Sequence, residues 1–162
     1  MTMSTQPTEL SRSFRIHTAM VLFALEEALG TFVITSVQDP TAIPQSIRTE
    51  IERRLENAGF VPVSQIVQET YLREVIELAV IVSKDRSEND AMRRLRELAN
   101  ALDIYDIRNA VWHPNRSFPD FFWFRIAAIA SDPSVEQARL SIVTDALHCA
   151  LDNRLSPPPE GW

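Results

Sequence analysis

Apolar side chains, with one histidine among them, recur at spacings of three and four through Leu10, Phe14, His17, Val21, Ala24, Ala28 and Phe32. A 3.6-residue period sustained over that length predicts a single amphipathic helix over 11–37. Such a helix is long enough to run the width of a small domain, so it is expected to be the central element on which the others pack.

The rest of the chain reads as further helices set off by breakers. Asp39-Pro40 and Pro44 end the first pattern, and Ile47, Ile51 and Leu55 define a short, exposed second helix closed by Gly59 as its C-terminal cap. After Pro62, the positions Ile66, Val67, Tyr71, Val75, Leu78 and Val82 trace a third helix. Ile76, Val80 and Ile81 widen its stripe, so it is expected to be buried on more than one side. The polar run 83–90 is a turn, and Ala91, Leu95, Leu98 and Leu102 carry a fourth helix with Arg–Glu pairs on its outer face. Asp103 is placed to cap a fresh start, and Pro114 ends the next helix because the residue before a proline is pushed out of the α region.

Aromatics at the consecutive positions 121–124 point to every side of a helix, so one side is expected to pack outside the monomer core or stay exposed. Ser134 and Gln137 form a capping-box pattern that opens a last helix carrying Val135, Ala138, Ile142, Ala146 and Cys149. There is no alternating strand or hairpin signal. The expected fold is therefore all-α: an up-and-down helical bundle of four to six helices over residues 10–155, between a flexible N-terminus, 1–9, and a flexible, proline-rich tail, 156–162.

Composition narrows the function classes. Three glycines are too few, and wrongly placed, for a P-loop or a dinucleotide-binding loop. Cys149 is the one cysteine, which excludes an internal disulfide and a multi-cysteine zinc site. Its neighbour His148 points about 100° away on a helix, so no metal and no cofactor are expected. The formal net charge of −6 argues against a broad basic surface that coats nucleic acid, so any such site must be local. All but one of the 16 cationic residues are arginines, the side chain suited to bidentate phosphate contacts. The first residues lack the basic and apolar pattern of a secretory signal. The apolar stretch 19–37 carries Glu26 and Glu27, and the stretch 121–130 is too short to span a bilayer, so a cytoplasmic protein with no membrane segment is expected.

One segment carries chemistry: Ile107-Arg108-Asn109-Ala110-Val111-Trp112-His113-Pro114. Arg12 and His17 repeat the same arginine-to-histidine offset, but His17 lies on the apolar stripe, where a core histidine is the expected role. The later copy, with a polar residue after the arginine and a proline after the histidine, resembles the HEPN superfamily, named for nucleotide binding in higher eukaryotes and prokaryotes. The resemblance implies a helical bundle, a homodimer that brings two motifs together, and metal-independent cleavage of RNA. It further implies a single-stranded RNA substrate and a toxin or defence role with a cognate antitoxin or partner protein. Catalytically silent relatives that only bind or regulate a partner are the alternative.

Cleavage without metal needs a base for the 2′-OH proton, a donor to the leaving 5′-oxygen and a cation for the charge on the phosphoryl oxygens. His113 fits the general acid or base, Arg108 the phosphate clamp and Asn109 a hydrogen-bonding positioner, with Arg116 as a further substrate contact. On a continuous helix, positions 109 and 113 share a face, while 108 stands about 140° from 113. A two-fold dimer would let one chain's arginine serve the other chain's histidine. The structural readings of the same residues are an Arg108 ion pair with Asp103, Asp106 or Glu97, solvent-facing carboxylates at Glu26-Glu27, and core or interface roles for Trp112, Phe118 and Phe121–Phe124.

Overall fold

The first apolar stripe folds as one helix, α1 (Glu9–Ser36), in a computed structural model that describes residues 9–37, 39–55 and 62–153. Val21, Ala24 and Ala28 are buried as the spacing requires, and Leu22, Leu25, Leu29 and Val33 widen the buried face. A short 3₁₀ turn (Pro40–Ala42) leads into α2 (Gln45–Leu55), and the chain continues through α3 (Val63–Gln68), α4 (Leu72–Val82), α5 (Asn89–Ala101) and α6 (Ile104–Val111). It closes with α7 (Asp120–Ala130), α8 (Pro133–Gln137) and α9 (Ser141–Asn153). Helix α1 is the hub, packing chiefly on α4, α7 and α9 and also touching α3 and α6. By length and composition its span Arg12–Ser36 could cross a membrane, and half of its most apolar stretch is buried inside the protein.

The fold is an all-helical bundle, although the described residues hold nine α-helices rather than four to six. Two breaks account for most of the difference. The apolar stripe from Ile66 to Val82 runs across an interruption at Glu69–Tyr71, where Tyr71 turns extended (φ −83°, ψ 164°) and α4 starts afresh. The capping role expected of Ser134 belongs to Asp132, whose carboxylate accepts hydrogen bonds from the Ser134 N–H at 3.0 Å and hydroxyl at 2.7 Å. With Pro133 at the first helical position this starts α8 early, and Arg139 at φ 60° then separates it from α9.

The aromatic run divides as the helical geometry demands: Phe122 and Trp123 are buried, Phe121 and Phe124 exposed. Within the polar turn, Ser83 is fully buried and receives a 3.1 Å hydrogen bond from Asn89, whose side chain also bonds the Val80 carbonyl. Arg96 and Arg94 of α5 reach other elements, Glu77 at 3.3 Å and Asp132 at 3.8 Å. The Gly59 cap, the first eight residues and the proline-rich tail lie outside the described residues.

His17 is a core residue, 8% exposed, with Ser13 Oγ 3.4 Å from its Nδ1 and the Trp123 ring 6.3 Å away. Burial lowers its pKa below the ordinary value near 6.5. The unfolded chain therefore binds this proton more readily than the folded one. Its contribution to stability is complete above about pH 6.5 and declines as pH falls toward the lowered native value. The thermal midpoint is expected to drop between pH 7 and pH 5, and His17→Gln is expected to flatten that slope. An identical profile for both proteins would remove the assignment.

Candidate active site at the end of α6

Helix α6 owes its direction to Asp103, a non-glycine residue held in the left-handed region (φ 49°, ψ 50°) between α5 and α6. The turn lets Ile104, Ile107 and Ala110 point into the core at intervals of three, and all three are buried. Arg108 and Asn109 follow Ile107 on the outer side, Arg108 half-buried and Asn109 exposed. The helix ends at Val111 with Trp112 as cap, so His113 stands beyond it. The expected one-turn relation between Asn109 and His113 thus does not hold as a helical register. Pro114 explains it: the chain must leave α geometry before the proline, and it does so already after Trp112.

His113 is exposed, and its loop is held by a residue from α1. The Arg15 guanidinium donates to the carbonyls of Ala110 at 2.6 Å, His113 at 2.8 Å and Arg116 at 2.6 Å. It also lies 5.0 Å from the centroid of the buried Phe118 ring. Burial lowers its pKa from the usual arginine value, although the side chain remains cationic at any ordinary pH. One planar, five-donor group therefore ties together the last turn of α6, His113 and the middle of the loop at Arg116. Local spacing gives no sign of this, because the partners are 95 to 101 residues away.

Arg108 pairs with Glu26, its Nε donating to the carboxylate at 2.9 Å, and not with the acidic residues nearer in sequence that a solvated face would have used. Glu26 is correspondingly half-buried rather than solvent-facing, whereas Glu27 is exposed. The Arg108 guanidinium also lies 5.1 Å from the centroid of Trp112, whose ring meets Phe23 of α1 at 5.3 Å. Arg116 is exposed, with its side chain 3.8 Å from Asp106 and its carbonyl on Arg15. Arg108, Asn109, His113 and Arg116 thus all sit at the end of α6 or in the loop that Arg15 ties to it.

Two clefts open beside Arg108. One, of about 460 Å³, lies between α1, α3, α4 and Trp112. The other, of about 510 Å³, is bounded by Arg54, Tyr71, Arg73, Tyr105 and Asn109. Arg108 and Leu72 line both. Among the described residues no group of three or more His, Cys, Asp or Glu side chains is arranged to hold a metal ion. The end of α6 and its loop carry a half-buried cation, an exposed amide and an exposed imidazole, and His113 lines neither cleft. No protein-family model, curated protein or solved structure matches the chain.

Proposed function

We propose that the protein is a HEPN-type, metal-independent endoribonuclease that cleaves single-stranded RNA as a cytoplasmic homodimer, in the role of a toxin or defence effector. The observation that supports this reading best is the exposed His113 on a loop fixed by Arg15, five residues after Arg108, which lines two clefts. In this reading the two His113 imidazoles of the dimer divide the proton transfers, one taking the proton from the 2′-OH and the other giving one to the departing 5′-oxygen. Arg108 steadies the phosphoryl oxygens, and Asn109 and Arg116 hold the flanking backbone. The 2′-oxygen forms a bond to phosphorus as the bond to the 5′-oxygen breaks, which leaves a 2′,3′-cyclic phosphate and a 5′-hydroxyl.

The ion pair between Arg108 and Glu26 favours a second reading, a catalytically silent bundle that binds a partner protein, because a carboxylate already occupies part of the guanidinium. The two readings separate on single-stranded RNA in excess chelator, with the particle mass measured by light scattering at micromolar concentration. Cleavage products ending in a cyclic phosphate, from a particle of twice the chain mass, are expected. Intact RNA after prolonged incubation favours the silent module, and a monomer that still cleaves removes the composite site.

A further inference from the structure

The clefts that meet at Arg108 expose aromatic rings with arginines stacked on them. Tyr71, 64% exposed, has the Arg54 guanidinium 4.2 Å from its ring centroid. Arg54 is itself locked by hydrogen bonds of 2.8 and 3.0 Å to the Glu74 carboxylate and one of 2.9 Å to the Glu69 carbonyl. In the other cleft Trp112, 54% exposed, is braced by Arg108 and Phe23. A ring that is braced by a neighbour yet more than half exposed contributes little to the core. It loses little freedom when a flat ligand lands on it.

We infer that these clefts are adjacent nucleotide subsites: one unpaired base stacks on Tyr71, the next on Trp112, and the phosphate between them meets Arg108, which lines both. The inference deepens the endoribonuclease reading and rests on it for the choice of RNA. Stacking is open to every base and requires it unpaired, so the ligand is a single strand recognised with little sequence preference. Charge agrees with this division of labour. Glu74 is paired with Arg54 and Glu26 with Arg108, and Arg73 and Glu27 add one charge of each sign, so the clefts together are close to neutral and rings rather than cations must supply most of the affinity. With a single phosphate placed at Arg108, log affinity is expected to fall with log salt at a slope of only about −0.7.

The test uses the full chain carrying His113→Ala and a fluorescently labelled single-stranded oligoribonucleotide, followed by anisotropy. Adding Tyr71→Ala or Trp112→Ala is expected to weaken binding roughly tenfold each. Tyr71→Phe should retain most of the affinity, and the duplex form of the same oligonucleotide should bind more weakly than the strand. Tyr71→Leu, which keeps bulk at the start of α4 without a π-face, repeats the test if the alanine variant loses its helical circular dichroism. Unchanged affinity for the alanine variants overturns the subsites even if the wild type cleaves RNA. Binding that depends on both rings in a protein whose wild type never cleaves keeps the subsites and ends the ribonuclease reading. No binding of the oligonucleotide by the parent overturns both and leaves the clefts to a protein ligand.

Discussion

Replacing His113 with alanine is expected to lower the rate of RNA cleavage by roughly 10²–10⁴-fold, the usual contribution of a positioned general acid or base. The thermal midpoint should move by less than about 2 °C, since an exposed side chain away from caps and core contacts carries little stability. This pairing of a large kinetic effect with a small thermodynamic one makes His113 a cleaner probe than Arg108. Removing Arg108 would also strip the half-buried Glu26 of its partner and Trp112 of its stacked cation, so activity and packing would fall together. Equal cleavage by the wild type and His113→Ala, in chelator and at matched concentration, would end the enzymatic assignment.

Arg15→Ala should produce the second large effect, through geometry rather than contact with substrate. Three carbonyls lose a charged donor at once, one of them partly buried and two at the surface. Hydrogen bonds to charged groups contribute about 1.5–3 kcal/mol when shielded and far less when water replaces them. A total loss of about 1–3 kcal/mol is therefore expected. Freed of that tether, the His113 loop can wander by an ångström or more, a displacement that costs on the order of 10–100-fold in rate. Arg15→Lys, with a point charge in place of a fork, should recover only part of it. The informative readout is kcat measured where the variant is fully folded: a purely structural Arg15 would lower the midpoint and leave kcat intact.

What local spacing can encode was legible, and what depends on distant partners was not. The α1 stripe specified its own helix because each buried side chain sits within four residues of the next, and the split of the 121–124 aromatics followed from the same arithmetic. The break before α4 leaves no mark in the spacing because Ile66, Val67, Tyr71 and Val75 keep a helical period straight across it. The interruption needs only Tyr71 to turn extended, without a glycine or proline to announce it. The α8–α9 junction is hidden in the same way behind Arg139, a residue type that rarely enters the left-handed region. At the site, the positions 108, 109, 113 and 116 could be singled out from their order in the chain. Their surroundings could not, because Arg15 and Glu26 come from α1, 82 to 101 residues earlier.

Helix α6 is only eight residues long, well short of what holds a helix together in water on its own, so its shape is borrowed from the core beneath Ile104, Ile107 and Ala110. The left-handed Asp103 also breaks it from the backbone hydrogen-bond ladder of α5, leaving side-chain ties such as the 3.3 Å bond from the Tyr105 hydroxyl to Asn100 to join the two. Warming or a core defect that merely loosens the packing under Ile107 should therefore scatter the candidate site while most of the helical circular dichroism is kept. In such a molecule the proposed cleavage would fail first and collapse would follow later.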